Sequence, residues 1–147
     1  MTAALTLAHA DNAEILLSLM ARYHEETGQP FDDEHRAVSA APLLGESPLG
    51  AVWLIGPPRA PLGYVTMTFG WSIERGGITA TLAEAFIRPS VRGRGIGTEA
   101  MHAIMVQLSQ AGIKAYYAAP ALDTPRAIRF CERLKLSRDQ TRQHMSN

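Results

Sequence analysis

The segment from Glu84 to Thr98 combines a carboxylate with a glycine-rich turn, and it is the part of this chain with the clearest chemical meaning. An apolar run ends at Pro89, and glycines follow at positions 93, 95 and 97. Glycines at this spacing let successive backbone N–H groups point into one concavity, and the helix that follows adds its own unpaired N–H groups and the positive end of its dipole. The segment therefore predicts a site for a pyrophosphate.

A helix is predicted after this turn, because apolar residues recur at the spacing of one buried face from Gly97 to Ala111, and Gly112 is placed to end it. Arg-Gly repeats also occur in flexible RNA-binding tails, and a glycine turn can simply join a strand to a helix. Here the repeat is short and lies between two segments of strong core periodicity. This context favours the phosphate-site interpretation.

Two segments carry a resemblance to a known family. Arg92-Gly93-Arg94-Gly95-Ile96-Gly97 fits the Arg/Gln-x-x-Gly-x-Gly/Ala signature of the GNAT superfamily of N-acetyltransferases. The segment 124–136 resembles the family's Asn-x-x-Ala-x-x-x-Tyr-x-x-x-Gly-Phe pattern, from which Thr124, Cys131, Lys135 and Leu136 depart. The resemblance is specific in the C-terminal half and extends to the N-terminal half only in the order of elements.

The resemblance implies that the chain uses acetyl-coenzyme A, with its pyrophosphate on the glycine turn and its pantetheine arm beside the strand that ends at Ile87. Backbone N–H groups of Phe86 or Ile87 would stabilise the charge that develops on the thioester oxygen. Arg92 and Arg94 would assist the phosphates or remain solvated. The implied cofactor-binding residues are Phe86, Ile87, Arg92, Gly93, Arg94, Gly95, Ile96, Gly97, Thr98, Thr124 and Arg126.

Glu84 is the first candidate for a general base. An alkyl amine with a pKa of about 10.4 is protonated at neutral pH, so a base or a water relay is needed before it can attack. Strand alternation places Glu84 and Phe86 on one face, and Ala83 and Ala85 on the apolar other face. The resemblance adds that family members often carry an acidic residue in this strand. The alternative is an exposed strand carboxylate or a partner for Arg88.

Cys131 is the second catalytic candidate, because the resemblance aligns it with a tyrosine thought to protonate the leaving thiolate. It lies on one apolar stripe with Ala127, Phe130 and Leu134, which predicts that it faces inward as a small core residue. We favour this packing role over a role as acid or nucleophile.

Charged residues also cluster around the predicted loop between the first two helices. Their carboxylates could attract a cationic amine, but a solvated loop is the more usual outcome, and we favour it. The cluster comprises His24, Glu25, Glu26, Asp32, Asp33 and Glu34.

Composition narrows the remaining choices. The 14 basic and 14 acidic residues balance, so there is no broad basic field for nucleic acid, and the low net charge is compatible with a homodimer. One cysteine excludes an internal disulfide and fits a reducing compartment, and no metal-ligand cluster is found. No segment is long and apolar enough for a membrane span, and no signal peptide is recognisable, which predicts a cytoplasmic protein.

The periodicity and the family resemblance together predict an α/β fold: one domain over 1–147, with a mixed, mainly antiparallel sheet flanked by helices, as the resemblance to the GNAT acyl-CoA N-acyltransferase fold implies. Strands are predicted over 5–7, 51–55, 63–71, 78–87, 113–119 and 141–145. Helices are predicted from a capping box at Asp11, from a cap at Asp32 with Ala37 and Val38 inward, over 97–111 and over 125–135. Trp53, Trp71, Tyr64 and Tyr23 are assigned to the core.

These observations predict an N-acetyltransferase that transfers an acetyl group from acetyl-CoA to a primary amine of a small molecule or peptide, by direct attack in a ternary complex. The alternative is a non-catalytic module that binds or senses acyl-CoA, since Cys131 and Thr124 depart from the family pattern. A dinucleotide-binding site is disfavoured, because Gly97 comes one position early for that fingerprint.

Overall fold

The computed structural model describes residues 4–138, which form a six-stranded sheet with helices packed on both faces. The strand predicted over 141–145 lies outside the described residues. The strands are β1 (Leu5–Leu7), β2 (Gly50–Ile55), β3 (Gly63–Ser72), β4 (Gly77–Ile87), β5 (Ala115–Ala118) and β6 (Ser137–Arg138). The helices are α1 (Ala13–Glu26), α2 (Asp33–Ala40), α3 (Ile96–Gln110) and α4 (Pro125–Arg133).

The strands lie in the sheet in the order in which they occur in the chain. Neighbours from β1 to β4 are antiparallel, and β4, β5 and β6 run parallel to one another. The predicted mixed, mainly antiparallel sheet is therefore confirmed. The helix α3 forms the crossover between the parallel strands β4 and β5, as parallel pairing requires.

Two hydrophobic clusters fill the two sides of the sheet. One lies between the sheet and α3 with α4, and its members include Val65, Leu82, Met101 and Ile104. The other lies between the sheet and α1 with α2, and it contains Leu16, Leu19, Tyr23, Leu54, Tyr64 and Phe86. The strands β2, β3 and β4 supply residues to both clusters, because successive side chains point to opposite faces.

The strands β4 and β5 diverge partway along β4. Pairing with β5 covers Thr79 to Leu82, and the N–H of Ala119 donates to the Leu82 carbonyl at 2.9 Å just beyond it. The strand β4 then continues to Ile87 without pairing to β5. A gap therefore opens in the sheet beside the last residues of β4.

An irregularity in β4 coincides with this gap. Thr66 pairs with Glu84 and Met67 pairs with Leu82, so Ala83 is an extra residue, as in a β-bulge. Alternation restarts after Ala83, which places Glu84 on the α1 side although Leu82 belongs to the α3 cluster. The prediction that Glu84 and Phe86 share a face is confirmed. The prediction that Ala83 belongs to the regular apolar face is wrong, because Leu82 takes that place.

The helices of the N-terminal half differ from the prediction in detail. The chain enters α1 through a short 3-10 turn, Ala10–Asn12, in which the N–H of His9 donates to Oδ1 of Asn12 at 2.9 Å. The predicted start at a capping box on Asp11 is therefore wrong. The predicted cap on α2 is confirmed, because the Asp32 carboxylate accepts a hydrogen bond of 2.8 Å from the N–H of His35.

The buried face of α2 is also different from the predicted one. Ala37 and Val38 are exposed, and Arg36 and Ala40 are buried instead. Arg36 can be buried because its guanidinium donates to the Phe31 carbonyl at 2.6 Å and to other polar groups nearby. A hydrophobic pattern could not reveal a buried arginine that is satisfied in this way.

Two predicted core residues lie at the surface. Trp71 is 66% exposed near the end of the β3–β4 hairpin, whereas Trp53, Tyr64 and Tyr23 are buried as predicted. Ala111 is exposed because it follows the last residue of α3. No helix within residues 4–138 has the length and apolar character needed to cross a membrane.

Candidate active site

A cleft of about 410 Å³ occupies the gap between β4 and β5. Its wall takes Tyr23, Tyr64 and Phe86 from the α1 cluster, and Ile87 and Cys131 from the α3 side of the sheet. The cleft therefore passes through the plane of the sheet and is open to groups from both sides. Further wall residues come from the glycine turn, the β5–α4 loop and α4, among them Gly93, Gly95, Thr98, Thr124 and Arg126.

The glycine turn has the geometry of an anion cradle. Gly93 and Gly95 have φ angles of +82° and +76°, a region that residues with a side chain rarely adopt. A Cβ atom on either glycine would meet no described atom within 4 Å, so the space beside the turn is open. The first α-helical bond of α3 runs from the N–H of Glu99 to the Gly95 carbonyl, and the N–H groups of Ile96, Gly97 and Thr98 precede it. This arrangement fits a pyrophosphate.

Gly97 has a different role from the other two glycines. A Cβ atom there would lie 3.3 Å from the Phe130 ring and 3.5 Å from the Ile87 side chain. The absence of a side chain therefore lets the first turn of α3 pack closely against β4 and α4. This packing fixes the direction in which the N-terminus of α3 points.

Arg92 is held across the cleft by α1. Its guanidinium donates to both carboxylate oxygens of Glu26, at 2.7 and 2.8 Å, and its Nε donates to the Ile87 carbonyl at 2.7 Å. The same guanidinium lies 5.5 Å from the centre of the Phe86 ring. Arg92 therefore connects the glycine turn to both α1 and the end of β4.

The other two arginines of the predicted phosphate site differ in position. Arg94 is exposed and is not part of the cleft wall, whereas Arg126 is part of it. Partial burial, and then the positive charge of Arg92, lower the pKa of Arg126 below its usual value. The two guanidiniums of Arg92 and Arg126 thus share one region of positive charge beside the glycine turn.

Thr124 and Cys131 both lie on the α4 side of the cleft. The Thr124 hydroxyl accepts a hydrogen bond of 3.2 Å from the N–H of Ala127 and so caps α4. Cys131 is only 3% exposed and belongs to the α3 cluster, and it also lines the cleft. The prediction that Cys131 faces inward is confirmed, and its part in catalysis stays a prediction.

Glu84 is the centre of a hydrogen-bond network that sequence reasoning did not find. The Tyr64 hydroxyl donates to Oε1 of Glu84 at 2.8 Å, and Nε2 of His24 lies 2.7 Å from Oε2. On the far side of the ring, Nη1 of Arg36 lies 3.4 Å from Nδ1 of His24. The guanidinium of Arg36 is also held by Asp33 at 2.7 Å.

This network determines where the imidazole proton lies. A guanidinium can only donate, so Nδ1 of His24 is the acceptor towards Arg36. The ring N–H towards Glu84 is then on Nε2, which donates to the carboxylate. His24 is 3% exposed, so the imidazole that hydrogen-bonds to Glu84 is shielded from solvent.

The Glu84 side chain lies just behind the cleft wall. Tyr64, Ala85 and Phe86 line the cleft, but Glu84 is not among the lining residues, and 18% of its side chain is exposed. A carboxylate in this position reaches a ligand most directly through a water molecule. The predicted base is therefore close to the site but not in its wall.

Backbone geometry distinguishes the two predicted oxyanion donors. The N–H of Arg88 donates to the Leu62 carbonyl at 2.8 Å, across the β3 edge of β4. Alternation along the strand then turns the N–H of Phe86 to β3 and that of Ile87 to the cleft. Of the two groups, only the Ile87 N–H faces the cleft.

Tyr23 is a further residue of the site that the sequence assigned only to the core. Its ring makes edge contacts with Tyr64 and Phe86, each with 6.3 Å between centroids, and it lines the cleft. Burial, followed by the negative charge of Glu84, raises the pKa of Tyr23 from 10.0 to about 12. Burial and the same carboxylate raise the pKa of Tyr64 well above its usual value. A helical apolar stripe contains no signal that separates a cleft-lining tyrosine from a core one.

The charged cluster around the α1–α2 loop is largely engaged in structure. Asp32 caps α2, Asp33 pairs with Arg36, and His24 and Glu26 have the partners described above. Glu26 is the only one of the six residues that lines the cleft. Within residues 4–138, no group of three His, Cys, Asp or Glu side chains is arranged to hold a metal ion.

The same fold occurs in solved structures of acetyltransferases. A predicted acetyltransferase from Clostridium acetobutylicum, solved with acetyl-CoA, has a TM-score of 0.77 at 13% identity, over 94% of this chain and 92% of that one. An aminoglycoside acetyltransferase, meta-AAC0020, from an uncultured soil metagenomic sample and in complex with sisomicin, has a TM-score of 0.70 at 14% identity, over 90% and 87%. The fold is therefore that of an acetyltransferase.

The family follows from the sequence. Residues 14–135 match the model of the Acetyltransferase (GNAT) family, and the chain belongs to that family. An integron cassette protein from the mobile metagenome of Cole Harbour Salt Marsh is 26% identical, with a TM-score of 0.78 over 92% of this chain and 84% of that one. The search of curated protein sequences gave no significant match.

Proposed function

We propose that this protein is an acetyl-CoA-dependent N-acetyltransferase that acts on a primary amine of a small molecule or peptide. The observation that carries the proposal is the cleft through the sheet, which has the anion cradle of α3 on one side and the Glu84 network next to the other. One ligand with a phosphate end and a reactive end can thus span the gap. The amine would attack directly in a ternary complex.

Acetyl-CoA would supply an activated acetyl thioester when bound. The open glycine turn and the free N–H groups at the start of α3 would hold its pyrophosphate, with Arg126 beside them. The edge of β4 beyond Leu82, which pairs with no strand within residues 4–138, would accept the extended part of the ligand, because its backbone groups face the gap. The solved relative from Clostridium acetobutylicum that contains acetyl-CoA supports this choice of donor.

The residues near the reaction centre fit the needs of acyl transfer. The Ile87 N–H faces the cleft and would stabilise the negative charge on the thioester oxygen. Glu84, held as a carboxylate acceptor by Tyr64 and His24, would remove a proton from the amine through a water molecule. Since one solved relative acts on an aminoglycoside, amine acceptors are the class to test first.

A non-catalytic module that binds acyl-CoA is the second candidate. The position of Glu84 behind the cleft wall favours it, because a base without direct access to the amine contributes less to the rate. This candidate shares the predicted binding of acetyl-CoA and differs in turnover. The two functions are therefore separated by kinetics and not by affinity.

The test is a screen of purified protein with acetyl-CoA against primary amines that include aminoglycosides, polyamines and short peptides. Released thiol is detected colorimetrically, and acetylated acceptors are detected by mass spectrometry. We expect turnover with at least one class of amine. Binding of acetyl-CoA by calorimetry without any acetylated product would contradict the enzyme and support the module.

A further inference from the structure

We propose that the Tyr23 hydroxyl is a catalytic hydrogen-bond donor that stabilises the leaving thiolate of the acyl donor in the cleft. The inference rests on the proposed function, since it needs a thioester to be bound there. Within residues 4–138 no hydrogen bond of the Tyr23 hydroxyl gives it a structural role. The residues around the hydroxyl indicate a role towards a ligand in the cleft.

The first observation is that the Tyr23 hydroxyl has no hydrogen-bond acceptor within residues 4–138. Tyr23 is 7% exposed and lines the cleft, and no described residue accepts a hydrogen bond from its hydroxyl. Every fully buried side-chain oxygen or nitrogen within residues 4–138 has a hydrogen-bond partner. Since the Tyr23 hydroxyl has none, its oxygen is not fully buried and is in contact with the cleft. Tyr64, by contrast, uses its hydroxyl on Glu84. A nearly buried donor without a protein acceptor is suited to a ligand.

The second observation is that the ring is fixed. Its centroid lies 6.3 Å from those of Tyr64 and Phe86 and 5.8 Å from that of His24. Contacts with three aromatic rings leave the hydroxyl little freedom, so the donor is oriented before the ligand binds. Such preorganisation is what makes a donor effective at a developing charge.

The third observation concerns which atom of the reacting thioester the hydroxyl would donate to. Tyr23 of α1 lines the cleft together with Ile87 of β4 and Cys131 of α4, so its ring borders the same cavity as the backbone donor of β4. Negative charge develops on two atoms during acyl transfer, the carbonyl oxygen and the sulfur. The Ile87 N–H on β4 would serve the oxygen, which leaves the sulfur as the atom without a donor.

The acidity of Tyr23 limits the role to donation of a hydrogen bond. Its pKa of about 12 lies well above that of a free thiol, about 8.5, so a full proton transfer to the thiolate is unfavourable. In the step, the amine nitrogen bonds to the carbonyl carbon, the C–S bond breaks, and its electron pair stays on sulfur. The amine proton leaves through Glu84 and water. The thiolate is held by the Tyr23 hydrogen bond and takes a proton from solvent.

The test compares wild-type protein with Tyr23→Phe, which keeps the ring and its packing. The matched control is Tyr116→Phe, because the Tyr116 hydroxyl bonds to the Met105 carbonyl outside the cleft. We expect Tyr23→Phe to lower kcat about ten- to a hundredfold, with acetyl-CoA affinity within threefold. Tyr116→Phe should leave kcat unchanged.

The decisive readout does not depend on turnover. The thiol of bound coenzyme A is titrated by the ultraviolet absorbance of its thiolate. We expect the thiol pKa to be higher in Tyr23→Phe than in wild type by about one unit, since a donor favours the charged form. An unchanged thiol pKa would overturn the inference even if kcat falls. A shifted pKa without turnover on any amine would contradict the proposed function only, and failure of coenzyme A to bind would overturn both.

Discussion

Glu84 is held in place by residues from three separate parts of the chain. Tyr64 on β3 and His24 on α1 donate to its two carboxylate oxygens, and Arg36 on α2 orients the imidazole. The sequence predicted Glu84 from its place in the strand. It could not predict the partners, because separations of 60 and 20 residues leave no local pattern.

We expect Glu84→Gln to lower kcat/KM about a hundredfold on an established acceptor, since it removes the proton acceptor and keeps the size. The acidic limb of the pH profile, on which activity rises with pH, should disappear in this variant, because there is no longer a base that has to be deprotonated. The measurement is a pH profile of kcat/KM, with the exposed Glu46→Gln as control. A wild-type rate with an unchanged profile would exclude Glu84 as the base.

Cys131→Ala tests whether this residue only packs. Because it is a small, buried side chain, we expect its loss to lower the free energy of unfolding by about 1 kcal/mol. We expect kcat to stay within a fewfold of wild type. The measurements are denaturant unfolding and steady-state kinetics. A fall in kcat by orders of magnitude in a folded protein that still binds acetyl-CoA would make Cys131 an acid or a nucleophile.

At the scale of elements, the glycine turn and α3 were largely predictable, because the sequence pattern and the backbone geometry express the same constraint. The positive φ angles of Gly93 and Gly95 require glycine, and the apolar stripe of α3 requires a buried face. The face of α2 was not predictable, since buried Arg36 depends on distant partners. The bulge at Ala83 was not predictable either, because no residue in that part of β4 is of a type that is characteristic of bulges.

The turn can be tested with a pair of matched substitutions. Gly95 and Gly76 have nearly equal φ angles, +76° and +71°, and open space at Cβ, but only Gly95 lines the cleft. We expect both Gly→Ala changes to cost about 1 kcal/mol of stability through the left-handed backbone. Only Gly95→Ala should weaken acetyl-CoA binding, by tenfold or more in calorimetry. Equal affinities in the two variants would contradict the phosphate cradle.

The ion pair between α1 and the glycine turn has a testable electrostatic effect. Glu26 places a negative charge on the cleft wall and pairs with Arg92. Glu26→Gln should therefore tighten acetyl-CoA binding, by about fivefold at low salt. Calorimetry at low and high salt should show a smaller difference at high salt, because exposed charges are screened. Weaker binding would mean that the pair mainly organises the turn.

At the scale of the whole molecule, the mixed, mainly antiparallel sheet was predicted in outline, whereas the order of its strands was not. The cleft was not predicted from the hydrophobic pattern, since the divergence of β4 and β5 depends on the end of their pairing at Leu82. The family resemblance implied a ligand beside the strand that ends at Ile87, whereas periodicity alone predicted only strands and helices. The Tyr23 hydroxyl could be recognised as a candidate ligand contact only from the three-dimensional structure, which shows that the residue lines the cleft.

Alkaline pH is expected to destabilise the whole fold. Tyr23 has a folded-state pKa of about 12 against an unfolded value of about 10, and Tyr64 is shifted in the same direction. The folded state therefore holds these protons to higher pH than the unfolded state does. The resulting stability is complete below about pH 10 and is lost as pH rises through about 12. Denaturant unfolding across this range should show a smaller loss in Tyr23→Phe, and an equal loss would contradict the shift.

The bulge at Ala83 has a consequence for anyone who transplants this site into another scaffold. Because strand alternation has a period of two, a graft of β4 that omits one residue would turn the carboxylate of Glu84 into the apolar layer under α3. The same graft would move Ile87 out of phase with the opening. A graft that omits Ala83 would therefore fail, whereas a graft that retains it would keep the Glu84 carboxylate and the Ile87 N–H in register.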